Sequence, residues 1–144
     1  MSSCPFCAYG NGEISRGLIV YEDEHVLVVP SKHQKRGNQG HCLVITRSHI
    51  SDIYEIPAEL SSPILQTMST ASRALRRAFS ADGVSLRQNN GAASGQDVFH
   101  LHFHLVPRFS GDDFDGESYQ IADERARLDQ AEELRRVWGI ATRR

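Results

Sequence analysis

Apolar and polar residues alternate in blocks along the first third of the chain, in a pattern typical of strands. Residues 17–21 and 25–29 are rich in Ile, Val and Leu, and a short acidic link, residues 22–24, joins them. Two such runs with a short link predict an antiparallel hairpin. Residues 41–46 form a further apolar run after the polar, glycine-containing residues 30–40. This order predicts a buried strand that follows a loop at a pocket rim.

Two other segments carry apolar residues at helical spacing. Residues 57–79 contain the first stripe, formed by Leu60, Ile64, Met68, Ala71, Leu75 and Phe79. Pro63 disfavours a helix interior, so either Ser62 caps a helix that begins there or a short turn from Pro57 precedes it. Residues 121–138 contain the second stripe, flanked by charges and formed by Leu128, Ala131, Leu134 and Trp138. We expect this second helix to pack on the domain or on a partner.

The remaining pattern completes one sheet. Residues 84–88 and 98–106 predict two further strands, and Pro107 is expected to end the second. Residues 110–117 are acidic, and we expect them to be mobile. The fold class is therefore α+β, with an antiparallel sheet of about five strands, one long central helix packed on it and a C-terminal helix.

Composition agrees with one globular domain and narrows its partners. The chain has 144 residues, 40% of them hydrophobic and 24% charged. We place the main domain at residues 1–109, with an acidic loop and the C-terminal helix at residues 110–144. The formal net charge of −2 offers no broad basic surface, so we expect no nucleic-acid partner. Without a secretion signal or an apolar stretch that spans a bilayer, we expect a cytoplasmic protein with no membrane association.

The sequence HLHFH places His100, His102 and His104 at every second position. On a strand these side chains share one face, while the intervening apolar residues face the core. Three imidazoles so close together would repel one another if all were protonated, so at least one stays neutral at pH 7 and can attack phosphorus. A metal site formed by all three is an equally good interpretation of the spacing alone. The third interpretation is a half-solvated strand in which the histidines have no chemical role.

The flanking sequence separates these interpretations. Residues 88–108, with the core His-x-His-x-His followed by two apolar residues, resemble the signature of the histidine triad (HIT) family of nucleotide hydrolases and transferases. The resemblance extends to four earlier segments, residues 4–7, 21–27, 40–45 and 48–50. It implies a nucleotide substrate that is cleaved at the α-phosphate, such as a nucleoside phosphoramidate or a dinucleoside polyphosphate.

The resemblance also implies a role for each site residue. His102 is the nucleophile and forms a nucleotidyl-imidazole. To attack, its ring needs one nitrogen to donate a hydrogen bond that fixes the tautomer, so that the other nitrogen keeps its lone pair. His104 contacts phosphate oxygens, and His41 orients the cluster. Further donors to the phosphate region are expected from the side-chain amides or backbone of Asn89, Gly95 and Gln96.

Cys4 and Cys7 have the spacing of a zinc knuckle, but one pair supplies only half of a tetrahedral site and could equally be redox-active. The branch of the family with this N-terminal pair completes a structural zinc with two histidines, which match His49 and His100. Cys42 is a buried strand residue. The long central helix usually forms a homodimer in this branch, so we expect a symmetric dimer.

Two positions depart from the family. Ser31 stands where members carry an aspartate that grips the ribose, and Asp97 stands where many carry Ser or Thr that assists the leaving group. One hypothesis is that a basic loop replaces the ribose contact by binding extra phosphates through Lys32, Lys35 and Arg36. We therefore expect a hydrolase, with two alternatives: transfer of the nucleotidyl group to a phosphate or sugar phosphate, or a nucleotide-binding module with little turnover.

Overall fold

The structure, a computed structural model, describes residues 3–142. Its helices are Pro5–Gly10 (α1), Ser61–Phe79 (α2) and Glu124–Ala141 (α3). Its strands are Tyr21–Glu22 (β1), Val26–Pro30 (β2), His33–Gln34 (β3), Cys42–Thr46 (β4), Gly83–Arg87 (β5), His102–Arg108 (β6) and Gln120–Ile121 (β7).

Five strands form one antiparallel sheet in the order β1-β2-β4-β6-β5. The register pairs Leu27 of β2 with Ile45 of β4, and Leu43 of β4 with His104 of β6, so β4 lies between β2 and β6. β3 and β7 form a separate two-stranded ribbon, in which His33 lies opposite Ile121. The predicted fold class, with its five strands, central helix and C-terminal helix, is confirmed.

The two faces of the sheet bury different sets of residues. One face packs against α2 and α3, with Val28, Val44 and Leu105 from the strands in the same core as Leu75 and Leu134 from the helices. The other face carries a smaller apolar cluster, formed with α1 and the turn after it by Tyr9, Leu18, Ile19, Leu27, Val29, Leu43 and Ile45. Because side chains alternate along each strand, the residues of this second face include His102 and His104.

Buried polar contacts join α3 to α1, β2 and β3 of the same chain. The Arg127 guanidinium donates to the Tyr9 hydroxyl at 2.6 Å and to the Pro30 carbonyl at 3.0 Å. Gln34 and Gln130 exchange two amide hydrogen bonds, at 2.7 and 3.1 Å. Each such bond contributes about 1 kcal/mol, and leaving one partner unpaired costs more. α3 therefore packs on its own domain, while the boundary at residue 109 stays a prediction.

The starts of two elements differ from the predicted ones. Where residues 17–21 were expected to be a strand, the chain first makes a 3-10 turn at Arg16–Leu18, and β1 is only two residues long. A second 3-10 turn, Ala58–Leu60, precedes α2, which begins at Ser61. Pro63 therefore lies in the first turn of α2, where its missing N–H costs nothing. Of the two alternatives for this boundary, the short preceding turn is correct.

The predicted strand at residues 98–106 is wrong at both ends. β6 begins at His102, because the Leu101 N–H bonds to the Ile50 carbonyl at 2.6 Å and the chain bends through residues 98–100. It also continues through Pro107, which lies opposite Val84. The ladder between β6 and β4 ends at Leu105, and beyond that point a residue without an N–H is tolerated.

Two residues of the acidic segment 110–117 make specific contacts with the rest of the domain, while the predicted mobility of the segment stays a prediction. Asp112 accepts two hydrogen bonds from the Arg108 guanidinium, at 2.8 and 2.9 Å, and one from Asn38. The Phe114 ring lies between two cations, with Lys35 Nζ 3.9 Å and Arg108 Cζ 4.4 Å from its centroid. Within residues 3–142, no helix is long and apolar enough to cross a bilayer.

Candidate active site and metal cluster

A cavity of about 710 Å³ lies on the sheet face that carries the histidines. Its apolar part is formed by α1, the turn that follows it and β4, through Pro5, Phe6, Tyr9, Ile14, Leu18 and Leu43. Its polar part includes His41, His102 and His104. A cavity of this size, mostly apolar with a few convergent polar groups, suits a nucleotide-sized ligand.

The His102 ring is fixed by the backbone just before it. Its Nδ1 lies 2.6 Å from the His100 carbonyl oxygen, so Nδ1–H donates and the Nε2 lone pair is left for the cavity. Burial lowers the pKa of His102, although the bond to His100 and the charge of Asp97 act in the opposite direction. Phe6 packs edge-on against the ring, with centroids 4.8 Å apart. His102 thus has the tautomer that a nucleophilic imidazole needs.

His41 and His104 form a hydrogen-bonded pair. Their Nε2 and Nδ1 atoms are 3.0 Å apart, because His41 directly precedes β4, in which Leu43 lies opposite His104. Burial, followed by the charge of the other histidine, lowers the pKa of His41 to about 3; burial, followed by the charge of His102, lowers the pKa of His104 to about 4. Both rings are therefore neutral at pH 7.

The hydrogen-bond partners of the ring nitrogens indicate which nitrogen of His41 and of His104 carries the proton. His41 Nδ1 has no hydrogen-bond partner among residues 3–142, and an unpaired N–H there would be costly. We therefore assign the His41 proton to Nε2, which donates to His104 Nδ1. His104 then carries its own proton on Nε2, as a donor available to a ligand in the cavity.

The backbone before His41 is shaped by Gly40. Its φ of 108° lies in the left-handed region, and a Cβ atom there would come within 2.6 Å of the Phe79 ring at the end of α2. Only glycine lets the chain enter β4 at this distance from the helix. This close approach sets the position of His41 relative to the sheet.

His100 turns away from the cavity toward a group of four potential metal ligands. One ligand atom from each of Cys4, Cys7, His49 and His100 lies within 4.8 Å of every other. The Nδ1 of His100 is 3.4 Å from Cys4 Sγ and 3.6 Å from Cys7 Sγ, and His49 Nδ1 is 3.3 Å from Cys7 Sγ. In a tetrahedral Cys2His2 zinc site, neighbouring S and N ligands are about 3.6 Å apart. The four residues fit such an ion.

The carbonyl of Thr46 prepares His100 for this role. His100 Nε2 lies 2.6 Å from that oxygen and donates to it, which leaves the Nδ1 lone pair for the cluster. A metal-binding histidine normally has such a partner on its other nitrogen. The predicted set of four residues is therefore brought together, and this cluster can bind a metal ion.

The other predicted site residues divide into two groups. Asn89, Gly95 and Asp97 line the cavity with the histidines. Gln96 does not: its Nε2 donates to the Ser51 carbonyl at 2.8 Å, and its Oε1 accepts from the Gly91 N–H at 2.7 Å. The loop itself thus uses the Gln96 amide in this structure, and its role toward a phosphate stays a prediction.

Ser31 lines the cavity but its hydroxyl serves its own loop. It donates to the His33 carbonyl at 2.9 Å and accepts from the His33 N–H at 3.2 Å. Of the three basic loop residues, only Lys32 lines the cavity. Lys35 is buried, bonded to the Phe114 carbonyl, so the three cations do not act together on a ligand as the hypothesis required.

Several cavity residues were not singled out from the sequence, and two of them are bonded to each other. Arg87, at the end of β5, and Tyr119, just before β7, both line the cavity and are bonded to each other at 2.7 Å. Tyr119 follows the acidic segment and reaches the site only because β7 pairs with β3. Arg87 lies directly before residues 88–108, which carry the family signature, and this position is the signal that could have pointed to it. A single arginine in a strand carries no pattern of its own.

Comparisons with known proteins agree with this architecture. The HIT domain family matches residues 12–111. Protein hit of Bacillus subtilis is 40% identical over 113 residues, which cover 78% of this chain and 76% of that protein. The chain therefore belongs to the HIT domain family.

Two relatives carry names that state an activity. Adenosine 5'-monophosphoramidase HNT1 of Saccharomyces cerevisiae is 37% identical over 110 residues, 74% of this chain and 63% of that protein. Adenylylsulfatase HINT3 of Arabidopsis thaliana is 34% identical over 107 residues, 74% of this chain and 53% of that protein. A zinc-bound histidine triad family protein from Mycobacterium smegmatis superposes with a TM-score of 0.81 at 32% identity, covering 96% of this chain and 94% of that one.

The histidine pair predicts a specific loss of stability in acid. Because the folded pKa of His41 is about 3 and the unfolded value is 6.5, its neutral form stabilises the fold above pH 6.5. This contribution is lost as the pH falls from 6.5 toward 3. Between pH 7 and pH 5, we expect the free energy of unfolding to fall by about 1 to 2 kcal/mol more in the wild type than in His41→Asn.

Urea unfolding at the two pH values measures this difference. His25→Asn, in the turn between β1 and β2, is the matched control and is expected to keep the pH dependence of the wild type. Equal losses in the wild type and in His41→Asn would contradict the assignment of a buried neutral pair.

Proposed function

We propose that this protein is a nucleotide hydrolase in which His102 attacks the α-phosphorus of a nucleoside phosphoramidate or a dinucleoside polyphosphate. The observation that carries the proposal is the bond from His102 Nδ1–H to the His100 carbonyl, which directs an unprotonated Nε2 at the cavity. The names of two relatives, an adenosine 5'-monophosphoramidase and an adenylylsulfatase, support cleavage at the same phosphorus.

The reaction proceeds in two displacements. The lone pair of His102 Nε2 forms a bond to the α-phosphorus, and the bond to the leaving group breaks with its electron pair on the leaving atom, which takes up a proton from solvent when it is an amine nitrogen. The imidazole then carries the nucleotidyl group and a positive charge, which the nearby Asp97 carboxylate stabilises. Water attacks the phosphorus, the electron pair returns to Nε2, and the nucleoside monophosphate is released with a proton passing to solvent.

Phosphate oxygens gain charge during both steps and need donors that are already aimed at them. We assign this role to His104 Nε2–H, the Asn89 amide and the backbone at Gly95, while His41 keeps His104 in the required tautomer. Gln96 acts indirectly, because its hydrogen bonds to Gly91 and Ser51 hold the loop that carries Gly95.

The nucleoside is assigned to the apolar part of the cavity, over Phe6, Leu18 and Leu43. Base and ribose bury apolar surface there, which compensates for the absence of a carboxylate at Ser31. The Ser31 hydroxyl is engaged with His33, so it adds less to ribose binding than a carboxylate that accepts two hydrogen bonds.

We propose that the metal of the Cys4, Cys7, His49 and His100 cluster is zinc, with a structural role. The zinc-bound relative supports the choice of ion. Four protein ligands leave no open position for substrate. Held in this cluster, His100 presents its carbonyl to His102 at a fixed point, and Cys4 and Cys7 hold α1, whose Phe6 packs on the His102 ring.

We further propose a cytoplasmic homodimer. A cluster of cysteine thiolates persists in a reducing compartment, which supports the location. Leu65, on α2, is 63% exposed, and Leu86, on the edge strand β5, is 54% exposed. Both are large apolar side chains on neighbouring elements, as an interface between copies requires.

Intact-mass spectrometry after acid quenching tests the proposed reaction with adenosine 5'-phosphoramidate. We expect a transient nucleotidyl adduct and release of AMP by the wild type, and neither by His102→Ala, with a loss of at least about a thousandfold in kcat. His25→Ala is the control and should match the wild type. Tight binding of the nucleotide with no product would contradict the hydrolase and favour a binding module; an adduct that only phosphate or a sugar phosphate resolves would instead identify a transferase.

Metal analysis of the purified protein tests the zinc proposal. We expect about one zinc ion per chain in the wild type and well under half of that in Cys4→Ser, because three ligands hold the ion less tightly. Cys42→Ala also removes a thiol, but one that lies in the core apart from the cluster, and should keep its zinc. Equal zinc content in Cys4→Ser and Cys42→Ala would refute the assignment.

A further inference from the structure

Arg87 continues a row of side chains that crosses the sheet beneath the cavity. The register aligns Val29 with Leu43, Leu43 with His104 and His104 with Arg87, on β2, β4, β6 and β5 in turn. Paired residues on antiparallel strands share a face, and neighbouring strands lie about 4.8 Å apart. The cavity floor therefore changes across the sheet from apolar, through imidazole, to guanidinium.

A nucleotide bound by His102 and His104 must follow this gradient. With its base and ribose over the apolar side and its α-phosphate over the histidines of β6, the rest of the molecule extends over β5. That remainder is the leaving group, and Arg87 is the residue of β5 that lines the cavity. The position of Arg87 is thus on the opposite side of the phosphate from the nucleoside.

The charges around the cavity agree with an anion at this end. Besides burial, the charge of Arg87 lowers the pKa of both His41 and His104, so the guanidinium lies close to the two rings. Asp97 lines the cavity near His102 and also borders a second cavity with Cys4 and His49. The remaining carboxylate, Glu124, begins α3 in the same helix as the buried Arg127.

Tyr119 holds the Arg87 side chain over the cavity. Its hydroxyl accepts a hydrogen bond from Arg87 Nη2 at 2.7 Å, and its ring centroid is 5.7 Å from Arg87 Cζ. The ring is itself supported by His41, with centroids 6.0 Å apart, and by Lys35 Nζ at 4.9 Å. Tyr119 lies beyond the family-matched residues 12–111, so this support comes from the chain's own C-terminal segment.

We propose that Arg87, positioned by Tyr119, binds the leaving group and favours substrates whose α-phosphate carries an oxyanion, such as a sulfate or a phosphate chain, over those that carry an amine. The inference rests on the proposed function. When the bond from phosphorus to a sulfate or phosphate oxygen breaks, the electron pair and the negative charge remain on that oxygen. A guanidinium beside it stabilises this charge through charge-assisted hydrogen bonds.

An amine leaving group does not gain the same stabilisation. It must take up a proton as the bond from phosphorus to nitrogen breaks, and a neighbouring cation does not favour a group that becomes neutral or positive. The kcat/KM values of the two kinds of substrate should therefore depend differently on Arg87. Their ratio measures the effect of Arg87 alone, because the chemistry of His102 is common to both substrates.

The test compares adenylyl sulfate with adenosine 5'-phosphoramidate, measured as AMP release. In Arg87→Gln we expect the ratio of kcat/KM for adenylyl sulfate to that for the phosphoramidate to fall about tenfold or more. Arg87→Lys keeps the charge without the fork and should recover part of the ratio. Arg76→Gln removes an exposed cation from α2, behind the opposite face of the sheet, and should keep the wild-type ratio.

Tyr119→Phe tests the positioning role, because it removes the hydroxyl and keeps the ring. We expect the ratio to fall about threefold in the wild-type background and not to fall further in Arg87→Gln, since the two residues act as one unit. If the role of Tyr119 were merely structural, Tyr119→Phe would lower kcat/KM equally for both substrates and leave the ratio unchanged.

The outcomes separate the inference from the proposed function. If the wild type cleaves both substrates and Arg87→Gln changes their ratio by less than about twofold, this inference is overturned while the hydrolase stands. If the wild type releases AMP from neither substrate, the proposed function is overturned and the inference with it.

Discussion

The hydrogen bond from His102 Nδ1–H to the His100 carbonyl connects the two chemical centres of this protein. It exists because the chain bends through residues 98–100 before β6 begins, so that the His100 ring turns to the metal cluster and its carbonyl turns to His102. Thr46 fixes the His100 ring from the far side through its own carbonyl. Two backbone carbonyls, those of Thr46 and His100, thus set the tautomers of a potential metal ligand and of the cavity imidazole.

The rest of the cavity depends on keeping imidazoles neutral. His41 and His104 share a hydrogen bond in a buried position where a positive charge on either ring would be costly. The fold meets this constraint by sheet register and by Gly40, which lets β4 start close to α2. Neutral rings supply both a lone pair and an N–H to the same cavity, which protonated rings could not do.

Much of this arrangement could be predicted from the sequence. The period-2 and helical patterns predicted the sheet and both long helices, because burial on one face leaves a regular trace along the chain. The metal cluster of Cys4, Cys7, His49 and His100 followed from a family resemblance, and its members do come together. Spacing alone could not have supplied it, since these ligands lie far apart along the chain.

The errors have physical causes as well. The bend before His102 depends on a hydrogen bond between Leu101 and Ile50, which no local pattern encodes. The hydrogen-bond partners of the Gln96 amide are likewise decided by the loop around it. The contact of Tyr119 with Arg87 needs the acidic segment to fold back, and that depends on Phe114 packing between cations. Long-range contacts of single residues of this kind become visible only in three dimensions.

The central claim is that the His100 carbonyl determines which nitrogen of His102 carries the proton. Nitrogen-15 NMR of the zinc-loaded protein, with histidine ring nitrogens labelled and His102 assigned by the loss of its signals in His102→Ala, measures this tautomer directly. The account predicts a proton on Nδ1 and an unprotonated Nε2 at pH 7. A His102 ring with its proton on Nε2 would contradict it.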